Sequence, residues 1–460
     1  MGLRDPALPY VRLCLRILPA FIHRRIAHRP GLLKIVDNIG WLFFDKLLRM
    51  GLGLLVGVWV ARYLGPEQFG LFSFSTAFVG LFGAVAGLGL QGIVVRDIVR
   101  DPAVKEETLG TAAMLQLLGG LLAYGLTLGA ISWLRPDDLL AKTLVAILGS
   151  MMLFKASEVA LYWFESQVMS KYTVWVQNGC FLLFAAIKVG LILNHASLIA
   201  FAWAAMVEAL LVGLLMFTVL DRRGLGLRQL QVTVARAKGL LKDSWPLLLS
   251  GIAITLYMKI DQIMLGQMVS DEAVGIYSAA VRICEVWYFI PMIIVSSVFP
   301  AILEAKKRSN SEYLKKIQVL YEFIFYISLI IALPLWIAAD QIIKFFFGVE
   351  YLKTSDIFVI YVWNIIFTGW GVARGRWMIV EGLQIYSIMY IGMSLVANVA
   401  MNYFLIPIYI GVGAAYATVV STLIATLVAP LLFSKTRLSS WMLVKSICPT
   451  KMFFYLKQKR

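Results

Sequence analysis

The sequence predicts an all-α polytopic membrane protein with about twelve transmembrane helices. They fall in two six-helix lobes related by a pseudo-two-fold axis along the membrane normal. Three observations predict this. About twelve apolar stretches fill the chain from Ile39 to Phe433, each near the roughly 20 residues that cross a hydrocarbon core. The connectors between them alternate between basic and nearly charge-free. The first connectors of the two halves carry matching residues at matching positions.

The apolar stretches come first. The chain is 60% hydrophobic and 15% charged, against about a quarter charged in ordinary soluble domains. Approximate spans are 39–63, 70–92, 108–133, 139–164, 172–194, 197–220, 244–268, 273–300, 317–339, 355–378, 384–407 and 411–433. The connectors are too short to hold a soluble domain. Residues 7–28 read as a basic amphipathic helix on the membrane surface, and the tail from Trp441 has a similar character. The domains follow: a basic segment 1–38, an N-lobe 39–220, a basic linker 221–243, a C-lobe 244–433 and a basic tail 434–460.

The charge pattern sets orientation. One side collects Arg96, Arg100, Lys105 and Lys171, then the linker with Arg222, Arg223, Arg228, Arg236, Lys238 and Lys242, then Lys306, Lys307, Arg308, Lys315 and Lys316. Both termini are basic as well. The opposite connectors hold only Arg135, Lys142, Lys344 and Lys353. Lys and Arg concentrate in cytoplasmic loops, so both termini are expected in the cytoplasm. The net charge of +16 is thus spread over membrane-flanking connectors, and no nucleic-acid partner is expected.

The repeat is short but well placed. Leu64-Gly65-Pro66-Glu67-Gln68-Phe69-Gly70-Leu71-Phe72-Ser73 follows the first span, and Val269-Ser270-Asp271-Glu272-Ala273-Val274-Gly275-Ile276-Tyr277-Ser278 follows the seventh. Glu67 matches Glu272, Gly70 matches Gly275 and Ser73 matches Ser278. Two halves of one topology imply a parallel repeat, with the substrate path between the halves.

Charges within the spans mark the candidate site, because each costs about 2.5–3.5 kcal/mol at the bilayer centre on insertion scales. Asp45 and Arg49 are four apart and can pair on one helix. Lys155, Glu158, Tyr162 and Glu165 form a polar stripe at helical spacing. Lys259 and Asp261, two apart, point to nearly opposite sides; Arg282 and Glu285 share a face. Asn398 and Asn402 are expected to bond between helices. Lys188, Lys259 and Arg282 fall in the outer half of their spans, where fixed cations suit an anionic substrate. The alternative is ion pairs that lock helices, such as Lys188 with Glu208 or Asp261 with Arg282. Gly80, Gly83, Gly87 and Gly89 in the second span read as close-packing positions.

Several chemistries have no sequence support. There is no Gly-Lys dipeptide and so no P-loop, and no H-E-x-x-H or G-x-S-x-G. Cys14, Cys180, Cys284 and Cys448 match no metal or redox spacing. Neither a cofactor nor a metal is expected, and an enzyme is disfavoured.

Four stretches carry a family resemblance. Ala61-Arg62-Tyr63-Leu64-Gly65-Pro66-Glu67-Gln68-Phe69-Gly70, Val94-Val95-Arg96-Asp97, Asp261-Gln262-Ile263-Met264-Leu265-Gly266, and Ile406-Pro407 with Gly413-Ala414-Ala415-Tyr416-Ala417-Thr418 occur in order. They resemble the polysaccharide or O-antigen flippases (Wzx type) of the multidrug/oligosaccharidyl-lipid/polysaccharide exporter superfamily. The resemblance implies a two-lobed fold working by alternating access in the bacterial inner membrane. The implied substrate is an undecaprenyl-diphosphate-linked oligosaccharide from an O-antigen, capsule or exopolysaccharide pathway. A polymerase or export complex would be the partner. A cation-lined cavity would engage the diphosphate, and Lys188, Lys259 and Arg282 suit that role on charge and depth. Asp261 matches a family position; it and Glu285, Glu208, Asp45, Arg49, Lys155 and Glu158 are the gating or coupling candidates, and the resemblance leaves the energy source open between H⁺, Na⁺ and the substrate's own gradient. Trp287, Trp363 and Tyr257 are candidate sugar contacts. The competing readings are a multidrug or cation antiporter of the same superfamily, a membrane-embedded glycosyltransferase or ligase, and a non-transporting scaffold.

Overall fold

The computed structural model describes residues 30–223 and 225–448. The surface helix expected over 7–28, Cys14 and the last part of the tail, 449–460, lie outside the described residues. Every element among the described residues is helical. The first half contains α1 (Pro30–Gly87), α2 (Leu90–Arg100), α3 (Lys105–Leu134), α4 (Leu139–Gly149), a 3₁₀ stretch (Ser150–Ser157), α5 (Glu158–Ser166), α6 (Lys171–Leu193) and α7 (Leu198–Arg223). The second contains α8 (Val234–Met268), α9 (Asp271–Val286), α10 (Phe289–Arg308), α11 (Asn310–Ile337), α12 (Ala339–Phe347), α13 (Thr354–Tyr361), α14 (Asn364–Val380) and α15 (Gln384–Leu423). A π-helical turn (Ile424–Val428), α16 (Ala429–Leu431) and α17 (Ser434–Lys445) complete it.

Ten helices among the described residues are long and apolar enough to cross a membrane. Two of them are too long for a single crossing. The 58 residues of α1 would reach about 87 Å at 1.5 Å per residue, nearly three times the hydrocarbon thickness. The helix breaks at Gly65, whose φ of 71° is in the left-handed region. Glycine accepts that conformation without Cβ strain, and Pro66 on its C-terminal side disfavours continued helix at Gly65. In α15 the break is at Ile410, with φ 51° and ψ −127°, three residues after Pro407. Each part on either side is long enough to cross once the second part of α15 is continued through the π-helical turn and α16 to Leu431, which accounts for twelve apolar runs in the sequence against ten helices.

Contacts divide the chain into two compact units. Among the described residues, one takes 30–53 with Gly83–Ala130 and Ala146–Leu248; the other takes Leu54–Phe82, Ile131–Val145 and 249–448. The units cut across the sequence halves. The second unit contains the whole C-terminal half from Leu249, plus the tips of the first four spans at the charge-poor end. Its core gathers Tyr321, Ile324, Trp370, Trp377 and Tyr390. The first unit packs Leu90, Val94, Leu109, Val159, Tyr162 and Leu220.

The described part of the tail is more than a surface anchor. α17 buries Thr436, Ser439, Ser440, Met442 and Leu443. Two of its polar residues meet partners in the core, Ser439 with Tyr321 at 2.9 Å and Thr436 with the Tyr390 hydroxyl, and Gln318 donates to the Met442 carbonyl at 3.1 Å.

Candidate functional site

The second unit joins the two matched connectors at their glycines. A Cβ on Gly70 would overlap the Asp271 carbonyl and crowd the Gly275 nitrogen; a Cβ on Gly275 would overlap the Pro66 carbonyl and crowd the Gly70 nitrogen. Pro66 and Asp271 occupy matching repeat positions, as Gly70 and Gly275 do. The contact is therefore reciprocal, as an isologous interface between two equivalent pieces would be. Backbones approach this closely only where side chains are absent. By contrast, nothing lies within 4 Å of a Cβ built on Gly80 or Gly83. Of the four expected close-packing glycines, Gly89 in the first unit does pack closely, its Cβ crowding Leu247 and Leu248, and Gly70 and Gly275 join it from outside that set.

Charged and aromatic groups fasten the same region. Arg135, from the connector between α3 and α4, grips both Asp271 oxygens at 2.9 and 3.1 Å. It also donates to the Gly266 carbonyl at 2.6 Å and to Asp138 at 3.2 Å, and lies 3.9 Å over the Phe74 ring. Such bidentate guanidinium–carboxylate pairs are among the stronger charge-assisted hydrogen bonds. Tyr351, fully buried in the connector before α13, donates to the Ala61 carbonyl at 2.8 Å. Burial holds its phenol above the ordinary tyrosine range, so it remains a donor. Arg135 was absent from the site residues expected from sequence; a lone arginine in a charge-poor connector was its only signal. Removing it leaves Asp271 without its main partner, a loss of about 1.5–3 kcal/mol for hydrogen bonds to a charged group. Arg135→Ala is expected to lower transport about tenfold, with activity restored in the Arg135→Asp/Asp271→Arg double variant. Undiminished transport in Arg135→Ala would show that this pair does not hold the closure.

The second unit also holds four of the in-span charges. Arg282 reaches back to Gly57, donating to its carbonyl at 3.5 Å, and lies 5.9 Å from the Phe69 ring centre. A Cβ on Gly57 would collide with the guanidinium, so glycine there makes room for it. Glu285 lies within electrostatic reach of both Lys259 and Arg282. Asp261 is 4% exposed and accepts hydrogen bonds from Tyr277 at 2.8 Å, from Thr418 and from Asn402. All three donors are neutral. No ion pair joins Asp261 to Arg282, contrary to the helix-locking alternative. Asn398 and Asn402 act between helices as expected: Asn402 holds Asp261 while its amide also donates to Asn398, and Asn398 donates to Ser421. Asp261 is buried among neighbouring helices, and Lys259 is partly exposed.

Asp261 and Glu285 line a cavity of about 510 Å³ inside this unit, with Tyr257, Tyr288, Asn364 and Arg374. Arg374 is a second residue the expected site omitted. It is 6% exposed, donates to the Ala425 carbonyl at 2.7 Å and to the Thr426 carbonyl, and lies 5.3 Å from the Tyr390 ring centre. Both carbonyls belong to the π-helical turn, whose changed register leaves carbonyls available to an outside donor. Of the candidate sugar contacts, Tyr257 is bonded to Thr422 at 2.6 Å, and Trp363 packs on Trp336 at 6.1 Å between ring centres.

The first unit holds the rest. Arg49 pairs with Asp45 at 2.8 Å, as their spacing predicts, and also donates to Asn178 at 3.2 Å. Lys188 pairs with Glu208 at 2.9 Å, the helix-locking partnership that was the alternative to substrate binding. Lys155 pairs with Glu158 at 3.3 Å, Tyr162 donates to Glu158 at 3.1 Å, and Gln116 donates to Tyr162 at 2.8 Å. Glu165 accepts from Gln91 at 3.0 Å. The stripe is real, but it begins in a 3₁₀ stretch rather than an α-helix. Lys188 belongs to one unit and Lys259 and Arg282 to the other.

Comparison with known proteins completes the assignment. Residues 35–306, more than half of the chain, match the family described as polysaccharide biosynthesis protein. The probable low-salt glycan biosynthesis flippase Agl15 of Haloferax volcanii is 24% identical over 409 residues, spanning 84% of this chain and 80% of the relative. The probable flippase AglR of the same organism is 22% identical over 270 residues, spanning 58% of this chain and 54% of the relative. Among solved structures, the lipid II flippase MurJ in an inward closed conformation superposes with TM-score 0.69 at 15% identity, over 92% of this chain and 93% of MurJ. A multidrug resistance MATE family transporter of the MOP superfamily in an inward-facing conformation gives 0.68 at 16% identity, over 88% of this chain and 99% of the transporter. The structural likenesses show the fold and the sequence match shows the family: the chain belongs to the polysaccharide biosynthesis protein family.

Proposed function

We propose that this chain, a multi-pass membrane transporter of the lipid-linked polysaccharide class rather than a catalyst, flips an undecaprenyl-diphosphate-linked oligosaccharide. Movement is from the cytoplasmic to the outer leaflet of the bacterial inner membrane, by alternating access between two six-span lobes. The observation that carries the reading is the reciprocal contact of Gly70 with Asp271 and of Gly275 with Pro66. Matched pieces of the two halves meet there with no side chain between them, at the end of the charge-poor connectors. On the expected orientation that end is the outer one. Such a contact can part as a unit, and Arg135 and Tyr351 hold it shut until it does. Lys259 and Arg282 supply the fixed positive charge for a diphosphate, with Glu285 balancing them when the site is empty.

Loss of the protein should leave lipid-linked oligosaccharide in the cytoplasmic leaflet and stop surface polysaccharide. Normal surface polysaccharide in its absence, with no lipid-linked intermediate accumulating, would refute the reading. The antiporter alternative draws on Asp261 and Glu285 lining one cavity, a pair suited to a cation. It predicts efflux of cationic compounds and no effect on lipid-linked sugar.

Asp261 is the proposed coupling group. A carboxylate buried among neutral donors is costly when ionised and uncompensated, and binding either H⁺ or Na⁺ neutralises it. Tyr277, Thr418 and Asn402 come from two other helices, so neutralisation is felt across α8, α9 and α15. Asp261→Asn preserves shape and removes the charge. Transport in this variant is expected to lose its response to an imposed H⁺ or Na⁺ gradient. A gradient response equal to that of the wild type would remove Asp261 from the coupling path.

A further inference from the structure

We propose that the first unit contains a binding site for an anionic phospholipid, one acyl chain filling a groove behind the 3₁₀ stretch and the headgroup meeting the basic linker. The site is independent of the transported substrate.

The groove has a volume of about 390 Å³ and runs between α3, the 3₁₀ stretch and α7, with Ala113, Leu117, Phe154, Leu214 and Phe217 among its walls. That size is ordinary for a small-ligand pocket. No charged side chain lines it, and its one polar side chain, Ser157, spends its hydroxyl on the Phe154 carbonyl at 2.7 Å. A buried water needs two or more polar partners, so water is a poor occupant. Both helices and the 3₁₀ stretch belong to candidate spanning segments. At that depth the abundant apolar molecule is a lipid chain. Gly213 leaves room in the groove wall, where a Cβ would stand 3.3 Å from the Ser157 hydroxyl.

The linker closes one end. Leu230 and Val232 line the groove, and the backbone beside them is fastened to the start of α3. Gln231 N–H donates to the Glu106 carbonyl at 3.3 Å, and Thr233 N–H donates to Thr111 at 3.2 Å. Gly110 permits this approach, because a Cβ there would overlap Gln231 backbone. Arg236 adds bonds to Thr108 and Asp97, both at 3.0 Å. Two features of this strap identify the occupant's other end. Val232 is 54% exposed and Val234 72%, which suits residues at the boundary between headgroups and hydrocarbon. Residues 222–242 carry six Lys or Arg and no Asp or Glu, the charge complement of a phosphate headgroup. A chain in the groove would back Phe154 and Ser157, whose neighbours Lys155 and Glu158 form the charged pair of the same stretch.

The test is photolabelling of the full-length protein in liposomes with phosphatidylglycerol that carries a diazirine on its acyl chain. Labelled peptides would be mapped by mass spectrometry. Label is expected to concentrate in 113–117, 154–157 and 210–217, above the exposed leucines Leu118 and Leu122 on α3. Gly213→Phe fills the groove and should lower that label about tenfold. Should Gly213→Phe fail to fold, Arg228→Gln with Lys238→Gln alters only exposed linker positions. That pair should abolish the preference for phosphatidylglycerol over a phosphatidylcholine probe. Label no higher in the groove than on Leu118 and Leu122 would overturn the site. Displacement by polyprenyl diphosphate at ratios where phosphatidylglycerol does not compete would also overturn it, by giving the groove to the substrate's tail.

Discussion

Gly70→Leu or Gly275→Leu is expected to abolish surface polysaccharide while the protein still inserts and accumulates. Each glycine faces backbone of the opposite half, Asp271 for Gly70 and Pro66 for Gly275. Backbone cannot swing aside as a side chain can, so the added leucine must drive the two connectors apart. Overpacking of this kind costs about 1–3 kcal/mol. At about tenfold per 1.4 kcal/mol, the closed population should fall by one to two orders of magnitude. The reporter is Ser75, fully buried on the same stretch of α1. In a cysteine-free background, Ser75→Cys should react with a membrane-impermeant thiol reagent far faster when Gly70 is leucine. Gly80→Leu is the control: nothing lies within 4 Å of its Cβ, and transport should be retained. Equal Ser75→Cys labelling with and without Gly70→Leu would mean that the glycine contact does not close this side.

Lys259→Ala and Arg282→Ala should each eliminate transport at normal protein abundance. Both cations act on Glu285, which creates two ways to lose function. If the lysine only balances Glu285, neutralising both in Lys259→Ala/Glu285→Gln restores transport. If it grips a diphosphate, the double variant stays inactive and Lys259→Arg alone keeps measurable transport, because an arginine also holds phosphate. Restoration by the double variant, measured as surface polysaccharide, would sink the phosphate-binding role. Lys188 is a weaker candidate now that Glu208 occupies it at 2.9 Å; an ion pair already made must be broken before the lysine can serve a substrate.

What could be read from sequence followed local geometry. Asp45 and Arg49 pair because four residues return a helix to the same face. Asn398 and Asn402 bond across helices because a buried amide needs a partner. The break after the first span was marked by Gly65-Pro66. Partners set by the rotation and depth of distant helices were not legible. Nothing in the spacing of Arg135 and Asp271, 136 residues apart, shows that they meet. Arg374 was visible as a charge, but its acceptors are two carbonyls freed by a π-helical turn that no local pattern announced. The repeat identified Gly70 and Gly275 as equivalent; only the fold shows that equivalent residues touch. The tail misled for a related reason. Residues 434–460 read only as a basic tail, and the fold sinks Thr436 and Ser439 against tyrosines on other helices.

The most direct measurement is leaflet transfer by the purified protein in liposomes that carry a fluorescent polyprenyl-diphosphate oligosaccharide. Wild type, Gly275→Leu and Lys259→Ala would be compared in the same membranes. Transfer by the wild type, with none by either variant, is the predicted result. Absence of transfer by folded wild-type protein given its native glycan, or full transfer by both variants, would contradict a flippase that closes at its glycines and holds a diphosphate on Lys259.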